Sequence, residues 1–242
     1  MKNPFGLFNI PPSAARRTLI IVSSQKPQAK CSKQYAAQQK EALDSWLKLK
    51  AAVILINDKS EVNVPEGVLL QQPKEVQPTV HELIGAALAH AKNKQDVIIA
   101  VVNSDIILTE SALKVLQLSD KLGNSWAATS LRYHFKKDMA AAETKDQGLD
   151  IFVASPRIWE MVYADMPKHN VDKLRIGKTL WDTWLSGYFK THIMQSKYVD
   201  MTHWKCVFHK EHPIDDSSRN NLPAECSDIK FVGMGLPITR HL

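Results

Sequence analysis

Apolar residues arrive along this chain in short solid blocks, separated by polar stretches in which a helical spacing recurs. Thr18-Leu-Ile-Ile-Val22 is a β-branched run that predicts a buried strand. Polar residues follow, and Tyr35 to Lys50 then carries Ala37, Leu43, Trp46, Leu47 and Leu49 as on one face of a helix. A second block, Ala51 to Ile56, ends in Asn57-Asp58. Strand, helix, strand is the pattern that builds a parallel α/β sheet.

The pattern continues through a Pro-containing connection with a short strand at Gly67–Leu70 and a helix in "TVHELIGAALAHAKNK". Val97 to Val102 is the third strong block, and its unbroken apolar character predicts a central strand covered on both faces. It stops at Asn103-Ser104-Asp105, after which Ile106-Ile107-Leu108 resumes the apolar run. Ser111–Leu122 is predicted helical with Thr109 as its N-cap, and Ala127–Leu131 and Leu149–Ala154 are predicted strands, the latter ended by Pro156. Helices are expected at Arg157–Tyr163 and Thr179–Tyr188. No internal repeat or linker interrupts the series, so we expect one domain over 18–214, an N-terminal extension over 1–17 and an irregular tail over 215–242.

Composition adds little to that picture: 242 residues, 44% hydrophobic and 23% charged, suffice for a sizeable core. Charge adds more. A formal net charge of +6 suggests an anionic partner such as a nucleic acid, a nucleotide or a phosphorylated surface. Cys31, Cys206 and Cys226 are odd in number and in no CxxC pair, so neither a disulfide framework nor a cysteine zinc site is indicated. No apolar stretch approaches the ~20 residues of a membrane span, and the N-terminus has no signal-like apolar core. A cytoplasmic protein is expected.

Open parallel sheets bind ligands beyond the carboxyl ends of their strands, which directs attention to Asn103 and Asp105. At i and i+2 of an extended segment their side chains share one side, about 7 Å apart. One can touch a sugar hydroxyl while the other ligates a hard divalent cation on phosphates; the alternative is a plain turn. Trp181 and Trp184, three apart on a helix, form either a core stripe or an aromatic pocket with Asp182 as a desolvated general base. Asp150 opens an apolar strand, where it caps a turn or faces the same pocket. Arg132 and Lys178 could meet phosphates. "THWKCVFHKEH" offers His203, His209 and His212 near Cys206, at spacings that match no zinc signature.

Taken in order, "NSDI" after a central strand, "SLRY", "GLDIFV", "GKTLWDTWL" and a late "MTHW", preceded by "QQKEALDSWLKL" and "AVILIND", resemble small glycosyltransferases of the GT-A-like type over roughly Leu19 to His212. The resemblance implies a single α/β domain with a mostly parallel, Rossmann-like central sheet flanked by helices, and transfer of a sugar from a nucleoside-diphosphate sugar, in particular a UDP-sugar, to a hydroxyl. It assigns Asp105 to a Mn2+ or Mg2+ ion on the donor diphosphate, with His203 or the competing His209 joining the metal shell. Asn103, with Arg132 and Lys178, falls to the donor, and Asn replaces the usual Asp there. Asp182 takes the place of the base of inverting members, with Asp150 as the fallback. Phage enzymes of this type glycosylate hydroxymethyl-pyrimidines in DNA, which makes DNA the expected acceptor, with Trp181, Trp184 and Trp204 as its aromatic contacts. The competing expectations are a glycan or small-molecule acceptor, and a non-catalytic nucleic-acid-binding module that keeps the fold.

Overall fold

Four of the apolar blocks become neighbouring parallel strands. In the computed structural model, which describes residues 17–75, 77–92, 94, 96–144, 149–178 and 180–211, β1 (Thr18–Ser23) lies between β2 (Ala52–Ile56) and β4 (Val97–Val102), and β3 (Val68–Gln71) extends the sheet beyond β2. The other half of the sheet is β8 (Leu149–Ala154), β6 (Ala127–Leu131) and β9 (Tyr198–Asp200), giving the order β3-β2-β1-β4-β8-β6-β9. β8 runs antiparallel to both β4 and β6, while β6 and β9 pair in parallel. The fold is therefore the expected mostly parallel α/β sheet, with one reversed strand that a pattern of apolar blocks does not distinguish.

Side-chain alternation divides the core into two layers. Ile20, Val22, Ile99 and Val101 face α2 (Val80–Ala91), α4 (Pro156–Asp165) and α5 (Trp181–His192). Leu19, Ile21, Ile98, Ala100 and Val102 face α1 (Lys33–Lys48) and a second, three-stranded sheet of β5 (Ile106–Leu108), β10 (Val207–Lys210) and β7 (Tyr133–Phe135). Every residue of β4 is buried, as its composition required. Two indoles fasten this region from opposite layers: Trp159 Nε1 donates to the Ile99 carbonyl at 3.0 Å and Trp46 Nε1 to the Ile106 carbonyl at 2.9 Å.

Several local expectations shift. The segment after Thr109 is a 3-10 helix over Glu110–Gln117 followed by the short α3 (Leu118–Leu122), and the Thr109 side chain makes no capping bond but reaches the Lys205 carbonyl. Pro156 ends β8, as expected, by starting α4, where its missing N–H costs nothing. Arg17, placed in the N-terminal extension by sequence, belongs to the folded body: its guanidinium pairs with Asp120 and bonds the Leu116 carbonyl at 2.8 Å. The rest of the extension, Gly148, Thr179, His212, Cys226 and the tail over 215–242 lie outside the described residues. Among the described residues no helix is long and apolar enough to cross a membrane.

Candidate active site

β4 hands the chain to Asn103-Ser104-Asp105 at the carboxyl edge of the parallel strands. Because β8 is reversed, its first residues arrive at that same edge, and Asp150 meets Asn103 there. The Asn103 N–H donates to the Asp150 carbonyl at 2.9 Å, and the Asn103 side-chain amide donates to the Asp150 carboxylate. On the other side of Asp150 the Arg132 guanidinium, following β6, forms an ion pair with the second carboxylate oxygen.

Asp150 meets Asn103 in the regular register of β4 and β8, but on the Arg132 side the sheet is irregular. Thr129 pairs with Phe152 but Leu131 pairs with Leu149, so that Asp150 and Ile151 together face the single residue Ser130. Leu149 and Phe152 consequently belong to the same core layer, although strict alternation would separate them. Asp150 is the additional residue of a β-bulge, the device that turns a side chain out of its regular position. It is 5% exposed. Burial pushes its pKa up, Arg132 and His209 oppose the shift, and Asp105 reinforces it.

The second sheet contributes two histidines. β10 places His209 opposite Ile106 of β5 and His134 of β7, and His209 Nε2 lies 3.3 Å from the Asp105 carboxylate. The His134 ring meets the His209 ring edge-on, with centroids 5.1 Å apart. Arg132 Nε donates to His134 Nε2 at 3.0 Å. Side chains in succession thus run Asn103, Asp150, Arg132, His134, His209, Asp105, linked by polar contacts except where the two histidine rings meet edge-on. Sequence reasoning did not single out His134, although its i, i+2 spacing from Arg132 in an extended segment was the available signal. Tyr35 of α1 was missed too: its phenol lies against Ser104 and Asp105, and burial with the Asp105 charge pushes its pKa up.

Asp182 sits in the first turn of α5, where its carboxylate accepts from the Thr183 N–H at 2.8 Å. Burial raises its pKa, and the charge of Asp150 adds to the shift. Leu180, immediately before the helix, takes φ +84°, a left-handed conformation that a bulky side chain rarely adopts and that clusters at functional sites.

The remaining candidates are dispersed. Trp181, expected on the acceptor side, is 2% exposed and packs edge-on against Phe152 in the core, so it supports α5 from beneath and offers no surface to a ligand. Trp184 is partly buried in the same layer, beside Tyr188 and His169. Trp204 packs with the opposite layer, under Lys114. The three tryptophans therefore do not form one slot. His203 is exposed on the turn Thr202–Trp204 with its ring against Trp204, whereas His209 is the histidine that faces Asp105. Lys178 lies partly buried in the turn that closes on Arg175, ahead of α5. Among the described residues no three His, Cys, Asp or Glu side chains form a ligand cluster by themselves.

Beyond the carboxyl ends of β1 and β2 lies a cavity of about 500 Å3, lined by Pro27, Lys30, Ser60, Glu61 and Asn63 among others. Lys30 and Glu61 face each other across it at 3.8 Å.

No protein-family model matches the chain, and no curated protein sequence matches it. Solved structures do. Residues 1–349 of TarS from S. aureus, in complex with UDP-GlcNAc, are 9% identical at a TM-score of 0.52, over 85% of this chain and 62% of that one. A glycosyltransferase involved in glycosylation of the major capsid of PBCV-1 is 11% identical at a TM-score of 0.41, over 79% of this chain and 93% of that one. The likeness to TarS is one of fold, and the fold is GT-A-like.

Proposed function

We propose that this GT-A-like domain is a metal-assisted glycosyltransferase that moves a sugar from a nucleoside-diphosphate sugar, by preference a UDP-sugar, to an acceptor hydroxyl. The observation that carries the proposal is the Asp105–His209 pair at the end of the central strand, 3.3 Å apart and beside the Asp150–Arg132 ion pair. Two features support it: this is the edge where open α/β sheets bind ligands, and the structural neighbour TarS is described in complex with UDP-GlcNAc.

In this reading the nucleoside occupies the cavity beyond β1 and β2, and the diphosphate extends toward Asp105. Asp105 and His209 are the residues that would hold Mn2+ or Mg2+, and the imidazole favours Mn2+ because Mg2+ prefers oxygen ligands. Such an ion supplies Lewis-acid stabilisation of the leaving nucleoside diphosphate. The chain's own residues do the rest. Tyr35 fixes the carboxylate of Asp105, which with His209 would hold the ion. Asn103 and Arg132 hold Asp150 at the sugar end. Asp182, with its raised pKa, accepts the acceptor's hydroxyl proton as the new bond forms between that oxygen and the sugar's anomeric carbon. The bond from that carbon to the phosphate oxygen breaks, and the nucleoside diphosphate leaves with the electron pair.

The acceptor lies on the Asp182 and Trp184 side. The net charge of +6 makes hydroxymethylated DNA the acceptor to test first, against plain DNA and a simple glycan alcohol. Purified protein should release UDP from a UDP-sugar in the presence of Mn2+, faster with the true acceptor. Failure to bind or hydrolyse any nucleotide sugar would overturn the proposal, and label on the glycan alone would replace the DNA acceptor.

A further inference from the structure

Two buried carboxamides grip successive residues of the loop that lines the cavity. Asn57, at the end of β2, accepts from the Gln25 N–H at 2.8 Å and donates to the Gln25 carbonyl at 2.8 Å. Gln39, on α1, does the same to the next residue: Oε1 accepts from the Lys26 N–H at 2.7 Å and Nε2 donates to the Lys26 carbonyl at 3.1 Å. Both amides are 3% exposed. Each treats one residue's backbone as a neighbouring strand would, and holds the chain extended just before the cavity residues Pro27 and Lys30.

Gln39 has a further bond that Asn57 lacks. Its Oε1 also accepts from the Ser104 hydroxyl at 2.9 Å, and Ser104 is the middle residue of the Asn103-Ser104-Asp105 step. The carboxamide thus connects the cavity loop to the residues that position Asp105, and all of its bonding capacity apart from one N–H is spent on that connection.

We propose that Gln39 is a positioning residue that makes the cavity loop and the Asn103-Ser104-Asp105 step a single ligand site, so that a nucleotide in the cavity and a divalent ion at Asp105 favour each other's binding. The coupling rests on the donor reading given above; the clamp itself does not. A ligand that orders the loop also orders Ser104 through one shared oxygen, and a ligand at Asp105 orders the loop by the same route. Such coupling is reciprocal by necessity.

The test uses the full chain, UDP and MnCl2. In the wild type the Lys26 amide is expected to exchange slowly with deuterated water, and Mn2+ to tighten UDP binding about fivefold or more in calorimetry. In Gln39→Met the Lys26 amide should exchange about tenfold faster while the Gln25 amide, held by Asn57, stays slow. That contrast separates loss of the clamp from loss of the fold. The Mn2+ effect on UDP affinity should then be at least about twofold smaller than in the wild type, the remainder being the ion's own attraction to the diphosphate. A Gln39→Met protein that keeps the slow Lys26 amide overturns the clamp, and one that keeps the full Mn2+ effect overturns the coupling. A wild type that binds no UDP overturns the donor reading and the coupling with it, while the Lys26 amide still decides the clamp. If Gln39→Met does not fold, Ser104→Ala leaves both Gln39–Lys26 bonds and removes the hydroxyl that Gln39 and Tyr35 share: the Mn2+ effect is expected to shrink at least about twofold with the Lys26 amide still slow, and its full persistence overturns the coupling.

Discussion

Asn103 and Asp150 are joined twice, by a backbone bond of 2.9 Å and by the Asn103 side-chain amide on the Asp150 carboxylate. The asparagine that departs from the expected carboxylate is thereby explained in place. An amide can donate to Asp150, and a carboxylate there would oppose it.

Asn103→Asp is therefore expected to destabilise the protein at neutral pH by about 2 kcal/mol, through like-charge repulsion and the lost donor. Both carboxyls would hold their protons to higher pH when folded than when unfolded. The deficit should be small at about pH 4 and grow as pH rises toward 7. Urea unfolding across that range checks it, and a deficit that is flat with pH would refute the account.

Arg132→Met leaves Asp150 buried beside Asp105 without its cation. The expected cost is about 3 kcal/mol in chemical denaturation, and Arg132→Met combined with Asp150→Asn should recover most of it. Simple additivity of the two changes would mean that the ion pair does not organise this edge.

Trp181→Ala should act on stability alone. Removing a fully buried indole is expected to cost about 3–5 kcal/mol and lower the melting temperature by about 10 °C. Trp184→Ala should cost far less stability and instead raise the acceptor's KM. The reverse assignment of effects would return Trp181 to the ligand side.

If Asp182 is the base, transfer should fall on the acid side with a midpoint above the ordinary carboxylate range, because burial and the Asp150 charge raise its pKa. The proton-bound form dominates below that midpoint, so activity is lost as pH falls through it. Asp182→Asn should remove about a hundredfold or more of kcat. A pH–rate profile with no acid limb above the ordinary range would assign the proton to another group.

Asp105→Asn should abolish any dependence of UDP binding on Mn2+ with little change in the melting temperature. Calorimetry with and without the metal reads this directly, and an undiminished Mn2+ effect would move the ion elsewhere.

Much of the fold was legible in the apolar blocks. β4, β6 and β8 begin and end where their sequences predicted, and a strand buried on both faces lies at the sheet's centre. The reversal of β8 was not legible, because a strand covered on both faces has the same composition in either direction. Asn103 and Asp105 follow the carboxyl end of β4, where the apolar block stops, whereas Asp150 opens a strand and meets Asn103 only because that strand is reversed, and nothing in the sequence paired Arg132 with it. His134 and His209 meet only because β10 pairs with both β5 and β7, joining segments far apart in sequence. Trp181 and Trp184 could not be assigned from spacing, since a core stripe and a ligand face share the same helical period. Gln39 carried no signal at all: a polar residue on an amphipathic helix announces solvent, and only the tertiary structure turns it inward.

The bulge at Asp150 also bears on how the site would respond to changes in chain length. Asp150 and Ile151 together face Ser130, so shortening β8 there by a residue other than Asp150 would let β8 and β6 realign into a regular ladder. The sheet would lose an irregularity, and the carboxylate would no longer be turned toward Arg132. This part of the site is written in the number of residues in the strand as much as in their kind, and insertions and deletions there should be more damaging to it than most substitutions.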